Sequence, residues 1–154
     1  MYKLTKRDNT MGTRSAIGYK TPQGKIRAKY SHYDGYPAYT GAMLQEHYTQ
    51  ARKIAQMVEL GDQSFLEAEI FPKGEHSFES PEQGCTIFYG RDRGERDVDA
   101  REFDNFADFV EHYDACGCEY FYVWDGHSWI VNDHNERDEH GFPVFDFVEI
   151  RLPA

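Results

Sequence analysis

Acid–base and aromatic side chains are concentrated in one short stretch of the sequence, "KYSHYDGYPAYTG" at residues 29–41. His32, Asp34 and Tyr36 alternate there, so an extended chain would place all three on the same side. A histidine beside a carboxylate can transfer protons or hold a metal ion. The alternative is a packed strand-to-helix corner, in which the same side chains hydrogen-bond to the backbone. The sequence leaves both interpretations open.

Two arginines could complete a ligand site at this stretch. Arg14, in "GTRS", lies on the predicted neighbouring strand, and Arg91 follows a later strand in the segment "YGRDRGERD". Guanidinium groups form forked hydrogen bonds and stack on rings, which suits a planar or anionic ligand beside tyrosines. This hypothesis predicts a pocket that binds a small molecule or a nucleotide. The protein would then be a sequestering protein or a small enzyme. The pocket would be lined by Arg14, His32, Asp34, Tyr36 and Arg91. The alternatives are an Arg14–Asp34 ion pair and a solvated charged loop.

Metal ligands and thiols lack the spacing that metal and disulfide chemistry requires. None of the seven histidines shows the i, i+4 pairing of a helical zinc site, and "CGC" at residues 116–118 is shorter than a Cys-x2-Cys knuckle. Three cysteines, an odd number, do not form a disulfide framework. We therefore expect no metal, no cofactor and reduced thiols.

The net charge of −10 is unevenly distributed along the chain. Residues 1–29 hold eight Lys and Arg against one Asp, and the remainder holds nine against twenty-six acids. An acidic body repels nucleic acid and anionic membranes, so we expect no direct binding to either. The sequence favours a partner protein with a basic surface, bound through the acids Asp92, Asp97, Asp99, Glu102, Asp104, Asp108 and Glu111, with further acids at 133–149. The alternative is an acidic face that only confers solubility.

The elements that must position these residues follow from periodicity. Alternating runs on both sides of "TPQGK" predict a hairpin at 13–32, and apolar residues at steps of three and four predict helices at 41–62 and 104–117, the second with Asp104 as its N-cap. Residues 91–104 lack apolar periodicity and predict a charged connection. "YVWDGHSW" predicts a second hairpin, with shorter strands at 85–90 and 143–150. We therefore predict an α+β fold: a mixed or antiparallel sheet of five or six strands, with both main helices on one face.

Domain organisation and location are the last expectations from the sequence. A loose basic arm is predicted for residues 1–12, followed by a single α+β domain over 13–154. No apolar run is long enough to cross a bilayer, and the N-terminus lacks the apolar core of a signal peptide. We therefore expect a cytoplasmic protein.

Three segments, "MGTRSAIGY", "YSHYDGYPAYTGAMLQEHY" and "CTIFYGRDRGE", together resemble a group of small, largely uncharacterised proteins of bacteriophages and prophages. The resemblance covers roughly residues 11–132. It implies an accessory role during infection, in the host cytoplasm, such as blocking a host enzyme or a defence system. It carries over no catalytic residues. The leading hypothesis is therefore an acidic accessory protein, rather than an enzyme, that binds and inhibits a host factor.

Overall fold

The first two strands form the predicted antiparallel hairpin, as seen in a computed structural model that describes residues 12–150. Strand β1 is Ser15–Lys20 and β2 is Ile26–Ser31. The turn between them is closed by the Thr21 N–H, which donates to the Lys25 carbonyl at 2.7 Å. Gly24 has a φ of +82° there, a conformation that glycine adopts without strain.

Four further strands extend this hairpin into one mixed sheet. They are β3 (Arg101–Phe103), β4 (Tyr120–Trp124), β5 (Trp129–Asp133) and β6 (Val148–Glu149). The order is β3-β2-β1-β4-β5-β6, in which β1 and β4 are parallel and all other neighbours are antiparallel. The predicted α+β class, with six strands in a mixed sheet, is confirmed.

Within residues 12–150, α-helices occupy four segments. They are α1 (Ala42–His47), preceded by a π-helical turn at Pro37–Gly41, then α2 (Ala51–Glu59), α3 (Tyr89–Arg93) and α4 (Phe106–Asp114). The single helix predicted over 41–62 is wrong, because the chain leaves helical geometry at Tyr48. The indole Nε1 of Trp129 donates to the Tyr48 carbonyl at 2.8 Å, and the Tyr48 hydroxyl donates to the Glu67 carbonyl at 2.6 Å. These long-range bonds fix the break between α1 and α2.

The helices cover both faces of the sheet, whereas the sequence predicted both main helices on one face. Adjacent residues of a strand point to opposite faces. Ile17 packs with Ile54 of α2, while Ala16 packs with Phe109 and Tyr113 of α4. The central strands are buried on both sides, so both sides require a covering layer.

The polar segment that leads into α4 also differs from the prediction. The predicted strand at 85–90 forms only isolated bridges and then enters α3, while residues 101–103, predicted as a charged connection, form the edge strand β3. The N-cap of α4 is Asn105, whose side chain accepts from the Asp108 N–H at 2.8 Å. Asp104, the predicted cap, instead pairs with Lys25 at 2.6 Å.

Two expectations concern the chain as a whole. No helix within residues 12–150 combines the length and apolarity needed to cross a bilayer. Apart from Gly12, the predicted basic arm at 1–12 lies outside the described residues, so the boundary at residue 13 stays a prediction.

Candidate functional site

His32 lies just beyond β2 and is held on several sides. Its Nδ1 is 2.7 Å from the Tyr30 hydroxyl, and its ring meets the Tyr33 ring edge-on at 4.4 Å between centroids. Burial, assisted by the positive charge of Arg14, lowers the pKa of His32. The imidazole is therefore neutral at pH 7, and its Nδ1 shares one hydrogen with the Tyr30 hydroxyl.

Asp34 and Gly35 form a tight corner rather than an open loop. Asp34 has a φ of +56°, and its carbonyl accepts from the Thr40 hydroxyl at 2.6 Å. A Cβ on Gly35 would lie 2.6 Å from the Cβ of Ser15, so only glycine fits there. The Tyr36 hydroxyl is 3.4 Å from Asp34 Oδ1, at the limit of hydrogen bonding. These contacts match the packed strand-to-helix corner.

The two arginines of the predicted pocket lie in different environments. Arg14 is close to His32, whose pKa it lowers, and it packs against Gly117, where a Cβ would lie 2.8 Å from Arg14 Nη1. Arg91, on α3, instead donates to the carbonyls of Ile70 at 2.6 Å and Thr86 at 3.2 Å. The structure therefore brings Arg14 and His32 together, while Arg91 holds the segment from 70 to 86.

Asp92 differs from the other predicted partner-binding acids because its side chain is only 6% exposed. It accepts from the Phe88 N–H at 2.8 Å, from Arg91 at 2.8 Å and from His76 at 3.2 Å. Burial raises the pKa of Asp92, but these hydrogen bonds outweigh it and leave the pKa below its usual value. Asp92 therefore anchors α3 to the neighbouring loop and does not face solvent.

The remaining six predicted acids are exposed; Glu102 lies in β3, and the others lie in the segments next to β3 and in α4. Asp104 is neutralised by Lys25. Within residues 12–150, none of the other five has an ion-pair partner. We call these five the acidic edge: Asp97, Asp99, Glu102, Asp108 and Glu111.

Apolar packing explains why the acidic edge faces outward. Phe103 of β3 packs on Phe109 and Tyr113 of α4, with ring centroids 5.9 Å and 5.5 Å apart. Because these rings fix the inner side of α4, Asp108 and Glu111 must lie on its outer side. Glu102, Asp108 and Glu111 are thus carried by a strand and a helix whose orientations these rings set, whereas Asp97 and Asp99 lie in the loop that precedes β3.

The sequence did not single out Lys29, whose side chain is fully buried. Its Nζ donates to the Met57 carbonyl of α2 at 2.6 Å and lies 4.4 Å from the centre of the Phe88 ring. Burial lowers the pKa of Lys29 well below its usual value, against the opposing effect of Asp62. The sequence signal that could have identified Lys29 as buried is the alternation along the strand. It puts Lys29 on the same face of the sheet as Ile17, its register partner.

No protein-family model, curated protein or solved structure matches this chain. The resemblance to bacteriophage proteins therefore stays a hypothesis. Functional inference rests on the residues of the acidic edge and of the Arg14–His32 corner.

Proposed function

We propose that this chain is a non-enzymatic binding protein whose acidic edge contacts a basic surface of a partner protein. The observation that supports the proposal is the set of five exposed carboxylates without an ion-pair partner among the described residues. Unpaired surface charges of one sign steer a partner of opposite charge and fix its orientation. With a net charge of −10, the whole chain adds to this attraction.

The resemblance to bacteriophage accessory proteins gives this proposal a biological setting. The partner would be a host enzyme or defence protein in the host cytoplasm, and the chain would inhibit it. A protein that binds nucleic acid presents a basic groove, and carboxylates on a rigid edge can occupy that groove in place of phosphates.

Charge reversal on the acidic edge tests the proposal. The test variant is Asp99→Lys/Asp108→Lys/Glu111→Lys, and each protein is used to capture partners from a bacterial lysate. The matched control reverses three exposed acids elsewhere, Glu46, Glu75 and Glu79. Both variants change the net charge equally, so they separate a localised surface from a general effect of charge.

We expect partners retained by the wild type and the control variant to be lost by the test variant. Repeating the capture at about 0.5 M NaCl should also release them, because salt screens exposed charges. Thermal unfolding of each variant establishes that it is folded. Equal capture by both variants would contradict the proposal.

A second candidate function, binding of a nucleotide-like small molecule, is favoured by the positive charge of Arg14, which is near enough to His32 to help lower its pKa. A cationic guanidinium beside a neutral imidazole and the Tyr30 and Tyr33 rings provides donors and stacking surfaces for a planar anion. A ligand that binds only the folded state raises the melting temperature. We expect such a rise with a member of a nucleotide panel, and its loss in Arg14→Ala and His32→Ala. An unchanged melt across the panel would contradict this function.

A further inference from the structure

A groove of about 370 Å3 runs along the opposite edge of the sheet, beside β6. Its floor is apolar, formed by Pro37, Val131 and Val148. Its rim carries four carboxylates, and no Lys or Arg is among its lining residues in the described part of the chain. We call it the β6 groove; its acids are Asp133, Glu136, Asp146 and Glu149.

Exposed apolar side chains accompany the groove. Phe142 is 65% exposed, Phe145 is 55% exposed and Val148 is 45% exposed, all within seven residues of chain. Phe145 packs on Phe147, which reaches Phe106 of α4, so Phe145 lies toward the α4 face of the sheet. Large exposed apolar patches on a soluble protein mark sites of interaction.

The edge therefore presents different chemistry on its two sides. Val131 faces the α1–α2 layer and belongs to the groove, whereas Phe147 packs with the α4 layer. Strand β6 is the last in the sheet, and no strand pairs with its outer side among residues 12–150. An extended chain laid along this edge would direct alternate side chains to the two faces.

We propose that the β6 edge binds an extended segment of a partner protein in which Lys or Arg alternates with apolar residues. The cationic side chains enter the β6 groove, where their alkyl stems contact Val131 and Val148 and their charged ends reach the four carboxylates. The alternate apolar side chains contact the patch around Phe145. The proposal rests on the proposed function, because it names the kind of segment that a basic partner supplies.

Charge decides against a second copy of this chain as the occupant. Two copies meeting through this edge would bring eight carboxylates together, and like charges on an edge strand oppose pairing. A cationic segment instead neutralises the groove while covering the exposed rings. Charge complementarity thus selects a basic partner.

Synthetic peptides test the proposal without a known partner. Three fluorescent peptides of about ten residues are used: alternating Lys and Val, the same composition with all Lys followed by all Val, and alternating Glu and Val. Binding is measured by fluorescence anisotropy to the full chain at low salt. We expect the alternating Lys–Val peptide to bind at least about tenfold more tightly than the other two, because the block peptide lacks the period of the edge and the Glu–Val peptide carries charge of the wrong sign.

Variants of the full chain locate the binding. Glu136→Lys/Asp146→Lys should weaken binding of the alternating peptide about tenfold or more, because two attractions become repulsions. Phe145→Ser should weaken it without changing charge. The control Glu75→Lys/Glu79→Lys should bind as the wild type does, since both exposed acids lie in the loop that packs on α3 through His76 and Phe78.

Each outcome decides the proposal. Equal binding of the alternating and block peptides, or equal loss in the β6 and control variants, would overturn it. The proposed function is tested separately by the lysate capture, because that experiment changes Asp99, Asp108 and Glu111 of the acidic edge. Lysate capture lost in that variant, with no peptide selectivity here, would leave the proposed function standing and reject the β6 site.

Discussion

Replacing Lys29 with methionine should change the pH dependence of stability. The Lys29 ammonium is fully buried, donates to the Met57 carbonyl at 2.6 Å and lies near the face of Phe88. The ring favours the charged form, but burial dominates and lowers the pKa well below its usual value. Lys29→Met keeps the approximate volume of the side chain and removes both the titrating group and the hydrogen bond.

The sign of the effect follows from proton binding. The unfolded chain holds a proton on Lys29 up to a pKa of about 10.4, whereas the folded chain releases it at a lower pH. Between these two pKa values the free energy of unfolding of the wild type rises with pH, by up to about 1.4 kcal/mol per pH unit. The methionine variant lacks this contribution.

Near pH 10, the variant should therefore be less stable than the wild type by about 1–3 kcal/mol, since the Met57 carbonyl loses its partner. This deficit should shrink, or reverse in sign, as the pH falls toward 7. Urea unfolding of both proteins at several pH values measures the difference, in which the contributions of other titrating groups cancel. Lys20→Met, at an exposed position of β1, is the control and should show no such trend. A stability difference that stays constant with pH would refute the reasoning, because it would mean that Lys29 keeps its proton in the folded state.

Two further predictions concern the elements that differ from the sequence expectation. Asn105→Ala should lower the free energy of unfolding by about 1 kcal/mol, because the α4 N-cap is lost, whereas Asp104→Ala should have the smaller effect of an exposed ion pair. Urea titrations compare the two, and a larger loss for Asp104→Ala would contradict the assignment of the cap. Trp129→Phe should cost about 1–3 kcal/mol for the unpaired Tyr48 carbonyl, in addition to lost packing. The control is Trp124→Phe, because the Trp124 ring is only half-buried. An equal loss of unfolding free energy in both variants would show that the hydrogen bond from the Trp129 indole does not fix the helix break.

The parts of the fold that were predictable from sequence depend on neighbouring residues. The β1–β2 hairpin follows from alternation around Pro22 and Gly24, and the end of α4 is marked by Gly117, which has a φ of +86°. The exposure of Asp108 and Glu111 follows from helical periodicity. In each case the residues that determine the local structure are close to one another in the sequence.

The parts that could not be predicted depend on contacts between distant residues. The break after α1 is set by Trp129, which lies 81 positions beyond Tyr48. Asp92 looks like its neighbouring acids in sequence, yet bonds from His76 and Arg91 turn it inward. The face covered by α4 depends on which residues of β1 it meets. No local pattern contains this information.

The same long-range contacts explain why the acidic edge keeps its charge. Several basic side chains of the described body bind backbone carbonyls rather than surface carboxylates: Lys29 binds Met57, Lys53 binds His47 and Ala68, and Arg91 binds Ile70 and Thr86 together with the buried Asp92. Cations used in this way stabilise helix ends and loops and are not available to neutralise surface acids. The net charge of −10 comes from the composition, whereas the fold determines which acids of the described residues stay without an ion-pair partner. It follows that losing these cations should alter stability, whereas reversing Asp99, Asp108 and Glu111 should alter binding.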